Sequence, residues 1–124
     1  MNNKQTGFVR LIYATKYSWL GLCAAWRCEA AFRQELVALC VLLPVALLLP
    51  VSGLEKLILI GSVLAVIVVE LLNSAIEAVV DRIGLEKHEL SGQAKDMGSA
   101  AVLLTLIMSI LTWVYIVYSN LVIS

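Results

Sequence analysis

The chain has 124 residues, 61% of them hydrophobic and 15% charged, with nine acidic and nine basic side chains. A soluble domain of this size carries nearer a quarter charged residues, so the composition excludes an ordinary water-soluble fold, and the zero net charge argues against a nucleic-acid binder. The length suits one domain, spanning 1–124.

In chain order, residues 6–27 place Phe8, Leu11, Ile12, Thr15, Trp19, Leu22, Cys23 and Trp26 at helical spacing. Lys4, Arg10, Lys16 and Arg27 add positive charge. Such a segment, taken as 1–28, is expected to lie along a membrane surface with its aromatics at headgroup depth. No cleavable signal peptide is evident, because strong apolarity begins only near Leu36 with no small-residue cleavage pattern behind it. Cys23, Cys28 and Cys40 match no zinc or redox spacing and read as small packing residues.

A first membrane span is expected over about 31–50. Pro44 lies in it, where it should kink the helix, and Pro50 helps end it. Arg33 and Glu35 must sit near the interface or face protein. Val51 to Lys56 reads as a tight polar turn. The second span is expected over about 57–80; at 1.5 Å per residue it reaches about 36 Å, longer than the roughly 30 Å hydrocarbon core. Residues 81–97 read as a charged loop, with Gly84 placed to end the second helix. The third span is expected over about 98–122. Gly98, Ala101, Thr105, Ser109 and Thr112 line it with small residues suited to close helix packing, and Trp113, Tyr115 and Tyr118 suit the far interface. The fold class is therefore an all-α membrane protein: an amphipathic surface helix and three transmembrane helices.

Lys and Arg set the expected orientation. Five stand at or before the head of the first span and three in the 81–97 loop, against Lys56 alone in the 51–56 turn. The positive-inside rule puts the N-terminus and the 81–97 loop in the cytoplasm and the C-terminus outside.

The second span carries the most informative pattern. Glu70, Asn73, Ser74, Glu77 and Asp81 fall on one face of an otherwise apolar helix. A carboxylate at membrane depth is costly and points to function. In a low-dielectric site Glu70 would be a stronger base than in water, which suits removal of a proton from an alcohol near the membrane surface; a structural carboxylate satisfied by a neighbouring helix is the alternative. Glu77 lies nearer water, and Glu29 precedes the first span on the same side. Two such carboxylates suit a hard cation such as Mg²⁺ bound together with substrate phosphates, or stand as solvated interfacial acids. Asn73 can orient a neighbour by hydrogen bonding. Lys95, before Asp96, can hold a phosphate as a point charge or anchor the interface. His88, among Glu86, Lys87 and Glu89, reads as a solvated loop residue. No Gly-x4-Gly-Lys-Ser/Thr or Gly-x-Gly-x2-Gly occurs, so any nucleotide is held without a P-loop or Rossmann turn.

These residues carry a resemblance. Gly7-Phe8 with Arg10, Tyr17-Ser18-Trp19, Ala24-Ala25-Trp26, Glu29 to Glu35, Glu70 to Gly84, His88 to Gly92 and Ala94 to Ala101 resemble the small integral-membrane diacylglycerol kinases of bacteria over nearly the whole chain. The resemblance implies transfer of the ATP γ-phosphate to the free hydroxyl of diacylglycerol, giving phosphatidic acid. It further implies a location in the bacterial inner membrane and a homotrimer with active sites shared between subunits. By matching position, Glu70 is the implied base with Asn73 its essential neighbour, and Glu29 and Glu77 are the implied Mg²⁺ ligands. Arg10, Tyr17, Glu29, Glu77, Glu86, Lys87, His88, Lys95 and Asp96 are the implied nucleotide contacts. Implied lipid contacts are Arg10, Cys23, Ala24, Ala25, Trp26, Ala31, Phe32, Arg33, Gln34, Glu35, Glu70, Ser99, Trp113, Val114, Tyr115, Ile116, Val117 and Tyr118. The same family includes undecaprenol kinases, which share the carboxylates; the Glu29–Glu35 and His88–Gly92 stretches look more like the diacylglycerol branch. A channel or transport subunit, for which an acidic stripe would serve as an ion path, is the alternative from another class.

Overall fold

The computed structural model describes residues 6–123. They form four helices: α1 Phe8–Cys28, α2 Ala30–Leu48, α3 Gly53–Ile83 and α4 Glu89–Leu121. The last three are long and apolar enough to cross a membrane. The expected all-α class, with one leading helix and three candidate spans, therefore holds. Lys4 lies outside the described residues.

α3 is the central element, packing on α2 along one side and on α4 along the other, while α1 touches the bundle chiefly through α2. Two apolar clusters hold the ends. At one end Ala25 of α1, Phe32 of α2 and Ile67 of α3 meet, with Leu36, Leu39 and Leu71 around them. At the other, Ala46, Leu59 and Ile116 join α2, α3 and α4, with Trp113 and Ile60 against them. Phe32 is only 1% exposed. Its truncation to Ala is expected to cost about 3–5 kcal/mol, as for other buried aromatics, read as a lowered unfolding midpoint in mixed micelles.

α3 begins earlier and ends later than expected and α4 begins earlier, whereas α2 stops at Leu48, two residues short of its expected end. The 51–56 turn is shorter than the composition suggested, because Ser52 and Glu55 form a capping box: Ser52 Oγ accepts from the Glu55 N–H at 3.1 Å, and Glu55 Oε1 accepts from the Ser52 N–H at 3.1 Å. Lys56 then donates to the Leu47 carbonyl at 2.7 Å, satisfying an orphan acceptor at the end of α2. α2 itself continues through Pro44 to Leu48.

The 81–97 loop shrinks in the same way. α3 continues to Ile83, and α4 starts at Glu89, capped by His88, whose Nδ1 accepts from the Leu90 N–H at 3.1 Å. Gly84 ends α3 as expected, but in extended backbone at φ 176° rather than in a left-handed cap. Lys95 and Asp96 are therefore helical, and Lys95 stands almost two turns inside α4.

Side-chain hydrogen bonds tie α3 to α4 along the half remote from Glu77. Ser62 and Ser109 hydroxyls meet at 3.1 Å, Trp113 Nε1 donates to the Leu59 carbonyl at 3.2 Å, and Asn120 Nδ2 donates to Glu55 Oε2 at 2.7 Å. The small-residue stripe thus packs at Gly98 and Ser109, both buried, while Ala101 is exposed. Trp113 also ties the helices together, its indole N–H donating to a carbonyl of α3.

Candidate active site

The inward face of α3 changes character along its length. Val63, Val66 and Ile67 are buried, and so, one turn further on, are Glu70 at 5% and Asn73 at 9% exposure. The three- and four-residue spacing that aims the valines at the core aims these polar groups there as well. Ser74 and Glu77 follow, partly buried, and Asp81 emerges exposed near the end of the helix. The predicted acidic stripe is one continuous ridge.

Glu29 reaches the same region from another element. It is the single residue between α1 and α2, in extended backbone (φ −118°, ψ 108°), and its side chain caps neither helix. Its carboxylate is therefore not consumed locally. Glu29 and Glu77 both lie close enough for their charges to act on Glu70, and the Glu70 charge in turn acts on Glu35. Glu29, Glu35 and Glu77, from the α1–α2 corner, α2 and α3, are thus each within electrostatic reach of Glu70. Glu35 Oε2 and Ser74 Oγ are buried there without a hydrogen-bond partner among the described residues. Arg33 fixes the corner, donating from Nη1 to the carbonyls of Trp26 at 2.7 Å and Arg27 at 3.3 Å. These are among the last acceptors of α1, so Arg33 acts as a cationic C-cap.

Three clefts open around this ridge. One, of about 570 Å³, runs between α1 and α3 past small residues including Gly21, Ala25 and Ala78, with Ser74 and Glu29 in its wall. A second, of about 490 Å³, is bounded by Asp81, Glu86, Lys87, His88 and Lys95. It brings together four of the expected nucleotide contacts. Lys95 crosses its floor to Asp81, Nζ to Oδ1 at 2.7 Å. Both partners are about half exposed, so the pair orients the α3 and α4 ends more than it stabilises them. The third cleft, about 750 Å³ and almost wholly apolar, lies under α1 between Trp19, Cys23, Trp26, Phe32, Leu36 and Ile67. Cys23, Trp26 and Phe32 among the expected lipid contacts line it.

Other expected site residues lie apart. Arg10 stands 18 residues before Cys28 on α1, about 27 Å along the axis, and neither it nor Tyr17 lines a cleft described here; Tyr17 packs on Tyr13 with ring centroids 6.3 Å apart. Trp113 to Tyr118 lie at the opposite end of the bundle: Trp113 bonds Leu59, which is 11 residues, about 16 Å, before Glu70 on α3. Of Ala24, Ala31, Gln34, Asp96 and Ser99, only Ala24 borders a cleft, that between α1 and α3; the five are exposed. Two contacts escaped the sequence reading. Spacing puts Asp81 on the stripe but gives no sign of its partner Lys95 on α4, and Gly98 belongs by spacing to a row of small packing residues yet lies directly under Asn73.

This arrangement defines a class: a small multi-pass helical membrane protein with one buried carboxylate, Glu70, and partly buried acids near it toward one end of its bundle. The model of the prokaryotic diacylglycerol kinase family matches residues 16–117, and the chain belongs to that family. It is 57% identical over 120 residues to the diacylglycerol kinase of Escherichia coli K12, covering 97% of this chain and 98% of that one. It is 54% identical over 109 residues to the diacylglycerol kinase of Pseudomonas aeruginosa, covering 88% and 89%. With the diacylglycerol kinase of Haemophilus influenzae it shares 50% over 110 residues, covering 89% and 93%.

Proposed function

We infer that the chain is an ATP-dependent diacylglycerol kinase, on the strength of one observation above all: Glu70, almost fully buried on α3 and faced by Glu29 and Glu77. Family membership and the named relatives support the reaction. The hydroxyl oxygen of diacylglycerol attacks the γ-phosphorus, and the bond from that phosphorus to the bridging oxygen breaks. ADP leaves, phosphatidic acid forms, and the hydroxyl proton passes to the Glu70 carboxylate. Phosphoryl transfer depends on positioning and charge neutralisation more than on covalent help, so a base, a metal and a few cations suffice.

Glu29 and Glu77 are the proposed ligands of Mg²⁺. The donor set fits this ion. Among the described residues no three His, Cys, Asp or Glu side chains form a cage that would hold a metal by themselves, and Mg²⁺ usually takes one or two carboxylates and leaves the rest of its shell to phosphates and water. When bound, Mg²⁺ would neutralise charge on the β- and γ-phosphate oxygens. Asn73 donates from Nδ2 to Glu77 Oε1 at 3.4 Å and so helps aim that carboxylate. Lys95, Lys87, His88, Glu86 and Asp96 form the proposed nucleotide mouth. The apolar cleft under α1 suits the acyl chains of the lipid, whose hydroxyl then lies toward the acids, with Ala24, Ala25, Trp26 and Ala31 to Glu35 around it. At the far end, exposed Val114, Tyr115 and Tyr118 contact only the tails in this scheme, whereas Ile116, an expected lipid contact, is buried against Ala46 and Leu59 and is removed from that set.

Distance along α1 supports active sites shared in a homotrimer. Arg10 lies too far from Glu29 along one rigid helix to serve the acids of its own chain. Exposed Phe8, Leu11 and Ile12 give that half of α1 an apolar surface for lipid or a neighbouring subunit. The α1–α2 corner, the α3–α4 corner and Glu77 share one end of the bundle, which the Lys and Arg distribution assigns to the cytoplasm, where ATP is.

Phosphate transfer from labelled ATP to a panel of lipid alcohols in mixed micelles tests this reading. Diacylglycerol is expected to be phosphorylated well above undecaprenol. Equal or inverted rates reject the substrate, and no transfer to any lipid rejects the kinase.

A further inference from the structure

At Gly98 the backbone of α4 packs directly against a side chain of α3. The residue is buried, and a Cβ added to it would collide with Asn73 Oδ1. That oxygen is itself fully buried and accepts no hydrogen bond among the described residues. The opposite side of the same amide donates from Nδ2 to Glu77 Oε1, a long bond of 3.4 Å. One flat group therefore joins the helix crossing to a carboxylate. A carboxamide is planar and is aimed by two side-chain torsions only, so fixing its oxygen fixes its NH₂. The glycine Cα–H offers the oxygen a weak contact of a kind common at helix crossings, and any larger residue displaces it.

We propose that Gly98 is a positioning residue for Glu77, acting through Asn73. Its bare Cα seats the amide oxygen, and the amide then holds Glu77 in the orientation that ligates metal. The inference rests on the metal-binding role proposed for Glu77. It gives Gly98 a task distinct from helix packing: an alanine is small enough for most close crossings, yet it meets the amide here.

The test compares full-length wild type, Gly98→Ala, Asn73→Ala and the double variant in mixed micelles. Mn²⁺ binding beside a non-hydrolysable ATP analogue, followed by electron paramagnetic resonance, is the main readout. The apparent KM for Mg²⁺, the KM for diacylglycerol and the unfolding midpoint are measured alongside. Gly98→Ala is expected to weaken Mn²⁺ binding about tenfold, the lower range for loss of a partner that orients a metal ligand, and to raise the Mg²⁺ KM in step. The diacylglycerol KM and the unfolding midpoint stay near wild type. Gly98→Ala adds nothing in the Asn73→Ala background, since no amide remains to displace. Full metal affinity in Gly98→Ala, or losses that multiply in the double variant, overturns the proposal. Should Gly98→Ala fail to assemble, Asn73→Ser decides: its side chain cannot reach Glu77, so a tenfold loss upholds the link and wild-type affinity overturns it. Wild-type protein that transfers no phosphate sinks the kinase reading alone, and the metal comparison still decides on Gly98. Wild-type protein that binds no Mn²⁺ overturns the proposal, and the kinase reading then rests on the transfer assay alone.

Discussion

Glu70→Gln protein is expected to assemble and to bind ATP, yet to transfer phosphate roughly 10²- to 10⁴-fold more slowly than wild type, the usual contribution of a positioned base. Gln keeps the shape and the hydrogen-bonding reach of Glu and removes only the charge and the basicity. The charge stands in a nearly dry position faced by Glu29, Glu77 and Glu35. Like charges in that setting oppose one another, so the unfolding midpoint of the variant is expected to hold or rise while activity falls. A loss of rate with a gain of stability marks a group kept for chemistry. Single-turnover transfer and an unfolding curve on the same preparation read both. A variant that transfers phosphate at the wild-type rate removes Glu70 from the mechanism.

The second large effect concerns the metal. Glu77→Gln and Glu29→Gln are each expected to raise the Mg²⁺ concentration required for half-maximal transfer by at least the 10–100-fold typical of residues that merely orient ligands. Chelation of divalent ions is expected to stop the wild type completely, with Mg²⁺ restoring it. The two substitutions differ in their side effects. Glu77 lies on a rigid helix and accepts from Asn73, so its loss leaves the backbone in place. Glu29 occupies the one non-helical position between α1 and α2, where its N–H donates to the Ala25 carbonyl at 2.8 Å; that bond belongs to the backbone and survives the change to Gln. Metal titration of the transfer rate, at saturating ATP, checks both. Unaltered Mg²⁺ dependence in either variant removes that carboxylate from the metal site.

Much of this architecture was legible because its signals are one-dimensional. The order of helices follows from runs of apolar residues, and the ridge from Glu70 to Asp81 follows from helical spacing alone. The misjudged boundaries have a physical cause. Hydropathy ends where hydrocarbon ends, whereas a helix ends where its backbone is capped. Ser52 and Glu55 carry a capping box that the sequence displays openly, and reading it would have started α3 at Gly53. His88 is a less familiar cap, so the early start of α4 was hidden. The Asp81–Lys95 pair and the Asn73–Gly98 contact were not legible. Each depends on how α3 and α4 are rotated and slid against one another, and periodicity fixes a face without fixing its opposite number. Arg10 shows the limit of residue matching: within one chain it stands 18 residues before Cys28 on α1 and lines none of the three clefts, so its expected place at the site is not met there.

The hydrogen bonds between α3 and α4 are unevenly distributed. Ser62 to Ser109, Trp113 to Leu59 and Asn120 to Glu55 all lie on the side away from the acids, while the end holding Glu77 has the solvent-exposed Asp81–Lys95 pair. The helical hairpin is thus pinned by hydrogen bonds at the end remote from the acids and joined at the other by an exposed ion pair and by the packing of Gly98 on Asn73. The acid-bearing end is therefore the end of the hairpin that side-chain hydrogen bonds between α3 and α4 hold least.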